Sequence, residues 1–251
     1  EFGDGRELNA WGGQSRATTR VLEMLHYRGF LRVARRQAGI RVYEAAPVPR
    51  ELLAPEERIR RLALLTARLF TPLPEASLRA ILSHLRHSAP ALTERRTIVS
   101  RLLTTGDLER GDVDGVAYVW TQGMGPVAKT DVPRTVRFLA PFDPVVWDRR
   151  RFEHLWGWPY RFEAYTPAAR RQFGYYALPL LWADRVIGWA NVSAAGGQLD
   201  VELGFINQRP RDRAFTRALD AEVERMRRFL GLAAGPVLAR PVERSACAPA
   251  I

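Results

Sequence analysis

The chain has 251 residues, 47% of them apolar and 26% charged, and a formal net charge of +11. Such a length builds one large or two to three small domains with real cores, and such a composition excludes wholesale disorder. No apolar run of about 18 residues indicates a membrane span and no leader pattern is visible, while the positive excess points to a polyanionic partner.

The cations are unusual in kind, because all but Lys129 of the 38 basic residues are arginine. Arginine forks onto phosphates and guanine edges, which suits DNA. Biased codon usage would explain the arginine-to-lysine ratio but not the charge excess. Cys247 is the only cysteine, so no disulfide forms within the chain and a reducing cytoplasm fits. His84 and His87 lie three apart, but nothing beside them in sequence completes a metal site.

In chain order, Ser15 is placed to cap a helix whose apolar face is Ala17, Val21, Leu22 and Leu25, and Gly29 closes it. "FLRVAR" and "IRVYE" read as two strands joined by "RQAG". Helix, turn, strand, turn, strand is the second half of a winged helix. "PVPRELLA" is a linker, and Pro55 opens a helix over "EERIRRLALLTARLF". "PLPEASLRAIL" predicts a second helix and "LTERRTIVSRLLTTGDL" a third, capped by Thr93 and closed by Gly106. "DLERGDVDGVAYVW" is strand, Asp-Gly turn, strand, so the helix-plus-wing pattern occurs twice. The first copy lacks its leading helices, and "EFGDGREL" reads either as a cut end or as an appended scar, with the natural protein expected to start upstream.

Beyond about residue 135 the pattern changes. "TVRFLAPFD" is strand-like, and Asp148 caps a short basic helix, "RRRFEHLWG". "YRFEAYTP", "FGYYALPLLW", "DRVIGWANVSA" and "QLDVELGFI" read as strands. "RDRAFTRALDAEVERMRRFLGL" is a long amphipathic helix ending near Gly231. The predicted class is α+β: tandem winged-helix modules, then a small antiparallel β-barrel or sheet domain with a C-terminal helix. The boundaries are 1–50 for a partial winged helix, 51–128 for a complete one, 129–232 for the barrel-like domain and 233–251 for a frayed tail.

Three pieces, "PFDPVVWDRRR", "YRFEAYTPAARRQFGYY" and "LPLLWADRVIG", resemble the signature of the YcaQ-like crosslink-repair DNA glycosylases, also known as winged-helix DNA-binding proteins. "RATTRVLEMLHYRGFLRVARR" is similar to that family's middle winged helix and "RRFLGL" to its C-terminal helix. The resemblance implies a bacterial protein that binds double-stranded DNA; a cytoplasmic, nucleoid-associated monomer is expected. It implies hydrolysis of the N-glycosidic bond of alkylated purines, including interstrand crosslinks, with neither metal nor organic cofactor. The family carries a Gln-x-Gln or Gln-x-Asp catalytic motif in its first winged helix. Here the only such triplet is Gln198-Leu199-Asp200, in a late strand, and it is read as coincidence. DNA binding is therefore expected of this chain and catalysis is not; a winged-helix regulator without enzymatic activity is the alternative.

The expected DNA contacts follow from position. Arg16, Thr18, Thr19 and Arg20 open the first reading helix, where hydroxyls and a helix N-terminus suit phosphate. Arg35, Arg36 and Arg41 flank the wing turn. Arg95 and Arg96, with Thr93 and Arg101, belong to the second reading helix, although the acidic wing beside it (Asp107, Glu109, Asp112, Asp114) opposes close approach. Arg149, Arg150 and Arg151 form the densest cluster and, with Arg170 and Arg171, are placed along the phosphate backbone. Tyr175 and Tyr176 alternate across a predicted strand, so at most one faces DNA. Asp143 and Asp148 are read either as an acid/base pair or as turn and cap residues. Trp147, Trp156, Trp158 and Trp182 are expected to pack the barrel against its short helix.

Overall fold

The computed structural model describes residues 5–8, 13–47, 53–125, 131–233 and 238–241. The backbone divides between two units, Glu1–Gly125 and Pro126–Ile251.

The first unit opens with β1 (Arg6–Leu8) paired antiparallel to β2 (Gln14–Arg16), followed directly by α1 (Ala17–Tyr27). The strand pairing runs up to the helix, so the N-cap is Arg16 with extended backbone and no side-chain cap bond, instead of the expected Ser15. No residue of α1 is buried; Leu22 and Leu25 are half-buried, and Val21 is exposed although it was assigned to the apolar face. The helix closes at Gly29, in the left-handed region as expected. β3 (Leu31–Gln37) and β4 (Ile40–Ala45) form the expected hairpin. Its turn is Ala38–Gly39, both at positive φ, the backbone twist that a two-residue hairpin loop needs.

The same unit continues with α2 (Pro55–Phe70), a two-residue strand β5 (Leu73–Pro74), α3 (Glu75–Ser88), a 3-10 turn over Thr93–Arg96, and α4 (Ile98–Thr104). The third helix is thus broken, and Thr93 opens a turn without capping a helix. Arg95 is the physical reason: its guanidinium donates to the carbonyls of Leu92, Pro90 (3.3 Å) and Ala89 (3.5 Å), tying the turn to the end of α3. The hairpin β6 (Leu108–Val113) and β7 (Val116–Thr121) turns at Asp114–Gly115, as predicted. β5 adds to β7 as a third strand. Ile59, Leu78, Leu82, Ile98, Leu102 and Tyr118 are all but fully buried, and form a core for the helices on this small sheet.

The second unit is built on β8 (Val136–Phe138), β9 (Leu178–Trp182), β10 (Arg185–Ala195), β11 (Gln198–Phe205) and β12 (Leu238–Pro241), in the order β12-β11-β10-β9-β8. This is an open sheet, not the expected barrel, and β12 runs parallel to β11. Within the tail expected to fray, Leu238–Pro241 is therefore an edge strand, and residues 242–251 lie outside the described residues. "YRFEAYTP" forms no strand. Its Glu163 carboxylate accepts the backbone N–H groups of Gln172, Phe173 and Gly174 (2.9, 2.7 and 3.2 Å). Those donors go to a side chain instead of a neighbouring strand.

α5 (Arg149–Trp156) is capped by Asp148, which accepts from the Arg151 N–H at 3.4 Å, and α6 (Arg213–Phe229) by Asp212, which accepts from Ala214 at 2.8 Å. Phe215, Leu219 and Val223 of α6 pack with Leu180, Ala190 and Val201 of the sheet. Phe152 of α5 packs with Trp158, Tyr160, Phe173 and Trp189 in a second cluster. Trp189 lies close over Gly204, where a Cβ would stand 2.1 Å from the indole, so only glycine fits there. Trp156 and Trp158 join the α5 cluster as expected, and Trp182 packs on Phe215 in the α6 cluster.

Candidate nucleic-acid interface

The predicted cations fall into three groups. The first comprises side chains spent on the fold. Arg151 is 4% exposed and its guanidinium donates to the Pro144 carbonyl, so it is withdrawn from the expected DNA set. The helical period is the cause: three consecutive residues of α5 cannot all face solvent when Phe152 must reach the core. Arg95 is spent on the turn carbonyls. Arg171 donates to the Thr166 carbonyl at 2.8 Å and lies over the Tyr175 ring at 4.9 Å.

The second group is shared with acids. Arg20 reaches Glu7 at 3.3 Å and the Leu8 carbonyl at 2.5 Å. Arg41 stands 3.7 Å from Glu23. Arg101 pairs with Glu94 at 2.6 Å. Thr18 is half-buried and Thr19 exposed.

The third group is exposed, with no acidic partner among the described residues: Arg16, Arg35, Arg36, Arg96, Arg149, Arg150 and Arg170. Arg36 and Arg41 face each other across the β3–β4 ladder, and Arg36 also donates to the Gly39 carbonyl at 3.3 Å. Arg149 and Arg150 occupy the first turn of α5, where positive side chains meet the positive end of the helix dipole. That placement is unfavourable in the isolated protein and is relieved by a bound anion.

One cavity collects cations the sequence reading overlooked. Arg79, Ser83 and Arg86 of α3 line a depression of about 550 Å³ with Thr93, Arg95 and Arg96. Their spacing of i, i+4 and i+7 on one helix was a legible signal, since it places all three on one face. Arg79 is fixed by Glu75 (2.7 Å) and Ser100 (3.0 Å), and Arg95 by the turn carbonyls. Arg86 and Arg96 remain exposed and unpaired with any acid among the described residues, and no carboxylate lines the cavity. Geometry and charge alike suit an oxyanion.

The acidic hairpin is absorbed by the fold. Asp107 takes Arg60 at 2.6 Å and Thr105 at 2.8 Å, and the Arg60 hydrogen bond, then that of Thr105, hold its carboxyl below the ordinary range. Glu109 accepts from the Trp120 indole at 2.7 Å, and Asp112 from the Gly115 N–H at 2.9 Å. Asp143 and Asp148 resolve as turn and cap: Asp143 accepts from Val145 at 2.9 Å, and Asp148 caps α5. Gln198 and Asp200 sit on β11, with Leu199 between them facing the core. Tyr160 donates to the Ala177 carbonyl at 2.7 Å, and burial pushes its hydroxyl upward from the ordinary phenol value. Tyr175 and Tyr176 precede β9 instead of lying in it, so the alternation rule does not apply and both are exposed. Among the described residues, no three His, Cys, Asp or Glu side chains gather where they could hold a metal, and no helix is long and apolar enough to cross a membrane.

A family model for "DNA glycosylase AlkZ-like" proteins matches residues 1–229. The chain belongs to the AlkZ-like DNA glycosylase family. Its structure is similar to that of the Streptomyces sahachiroi DNA glycosylase AlkZ, with a TM-score of 0.54 at 15% sequence identity, which is a likeness of fold. The match covers 90% of this chain and 58% of that one, so this AlkZ-like chain spans less than two thirds of the length of its solved relative.

Proposed function

We propose that this chain is the DNA-binding portion of a bacterial DNA-repair glycosylase acting on alkylated or interstrand-crosslinked duplex DNA. Residues 1–50 and 51–128 are read as winged-helix modules and 129–232 as the third DNA-facing domain. The partner is double-stranded DNA and the site of action the cytoplasmic nucleoid, with the protein acting as a monomer. The observation that carries this reading is the set of exposed guanidiniums, in both units, without acidic partners among the described residues, in a chain whose family match runs from residue 1 to 229. Cations left unneutralised by the protein are available to displace the counterions of DNA phosphates.

Hydrolysis of an N-glycosidic bond needs a group that positions one water against an oxocarbenium-like sugar. The family's Gln-x-Gln or Gln-x-Asp motif is the expected source, and these residues hold only Gln198-Leu199-Asp200, whose middle residue anchors it in β11. That placement favours a second reading, a non-enzymatic winged-helix DNA-binding protein. Two measurements separate them. Both readings require binding to duplex DNA that weakens steeply with salt. The repair reading expects little sequence preference, and abasic sites in N7-alkylated duplex only when the water-positioning motif is supplied; the regulator reading expects one favoured operator. Salt-insensitive binding, or none, would defeat both.

A further inference from the structure

The longest of the three signature pieces, residues 160–176, contains rings that the fold does not use. Tyr160 and Phe173 of that motif, with Ala177 directly after it, are buried in the core. Tyr165 is 93% exposed, Tyr175 60% and Tyr176 45%, and nearby Phe142 is 69% exposed. They are not scattered. Half-buried Phe162 meets Phe142 at 5.3 Å, Tyr165 at 6.3 Å and Tyr176 at 5.1 Å, each edge to face. A contiguous patch of exposed rings marks an interaction surface.

The mount is rigid. Glu163, 7% exposed, holds the N–H groups of residues 172–174, and the Asn191 amide donates to the Phe173 carbonyl at 2.8 Å. Beside the rings lies a groove of about 420 Å³, walled by Tyr175 and Tyr176. Its floor is the polar face of the β10–β11 ladder, where Asn191 stands opposite Glu202 and Ser193 opposite Asp200. Asp200 Oδ1 is buried there with no hydrogen-bond partner among the described residues. Arg161 is exposed next to Phe162, and Arg171 lies against Tyr175.

We propose that this aromatic platform stacks an unpaired nucleobase, whose amino edge is taken by the carboxylates of the adjoining groove. Flat exposed rings offer a π-face to any base, and the exposed Arg161 guanidinium takes a flanking phosphate. The acceptors Asp200 and Glu202 favour a base bearing an exocyclic amino group, so adenine, cytosine and guanine are bound in preference to thymine. Charge selects this occupant over an apolar protein segment, which would leave Arg161 and the groove carboxylates unmatched. The inference rests on the DNA reading above and extends it from paired backbone to one unstacked base.

The experiment compares the full chain on three labelled hairpin duplexes by fluorescence anisotropy: fully paired, with one extrahelical adenine, and with one extrahelical thymine. About tenfold tighter binding to the adenine bulge than to paired duplex is expected, with the thymine bulge between them. Tyr165→Ala with Tyr175→Ala abolishes that preference and leaves paired-duplex affinity within about twofold, whereas Tyr165→Trp keeps it. Because both rings are largely solvent-exposed, the truncations leave the core intact, which circular dichroism verifies. Equal affinity for all three duplexes, or a preference that survives the double truncation, overturns the platform and leaves the rings to an apolar protein partner. Failure to bind even the paired duplex overturns the DNA reading itself, so the two failures are distinct.

Discussion

Glu222 of α6 accepts a hydrogen bond from the backbone N–H of Phe138 in β8 at 2.8 Å, with its side chain wholly inaccessible to water. Arg225 supplies the countercharge at 2.5 Å and Arg137 at 3.5 Å, both from half-exposed positions. One carboxylate thereby fastens the C-terminal helix to the edge of the five-stranded sheet. Glu222→Ala strands the Phe138 donor and both arginines, and is expected to cost about 2–3 kcal/mol. Glu222→Gln keeps an acceptor and costs roughly half as much. Urea unfolding followed by tryptophan fluorescence reads both, and a loss under about 1 kcal/mol for the alanine variant would show that the tie is dispensable.

The Arg60–Asp107 pair links α2 to the start of β6 and predicts a pH dependence. A carboxyl depressed by a folded-state partner stabilises fully above its ordinary value and loses that contribution as pH falls through the folded value. With an ordinary value of 3.8, Asp107 contributes at neutral pH and in mild acid, and its contribution drains away only below that point. Asp107→Asn is expected to be less stable than the parent at neutral pH, by about 0.5–1 kcal/mol for so accessible a pair. The two melting curves should converge in stronger acid. A gap unchanged on acidification to about pH 2.5 would assign it to something other than the ion pair.

Adjacent arginines of α5 should behave in opposite ways. Arg149→Glu with Arg150→Glu leaves the core untouched, because both are exposed. It should weaken duplex binding across all sequences and lower the slope of log K against log salt by about 2. Arg151→Ala should instead lower stability by about 1–3 kcal/mol, since a buried guanidinium on a carbonyl is lost. Parallel titrations and melts on the two variants check this, and unchanged affinity at low salt after the double reversal would remove α5 from the footprint.

The α3 cavity makes a similar division. Arg86→Ala with Arg96→Ala is expected to reduce duplex affinity about tenfold at moderate salt with no change in melting temperature. Arg95→Ala should lower the melting temperature, because its turn carbonyls lose their donor. If the double variant binds as the parent does, the cavity is no phosphate site.

Much of this was legible in the sequence because it is local. The Ala-Gly and Asp-Gly turns set both hairpins through backbone conformations that few residues adopt, Pro55 marked the start of α2, and an amphipathic pattern marked α6. Asp148 announced its helix by capping chemistry alone. The family motif, too, is a string of residue types, and it survives in the match over residues 1–229.

Only the tertiary structure decided which cations and rings remain available. Arg149, Arg150 and Arg151 are chemically identical in sequence, yet packing of Phe152 turns the third inward. The sequence predicts a strand from Phe173 onward, but Glu163, reaching nine residues along the chain to Gln172, takes the Phe173 and Gly174 donors that its start would need. Whether a side chain is free for a ligand depends on which distant groups have already claimed it, and nothing in the order of residues records that claim.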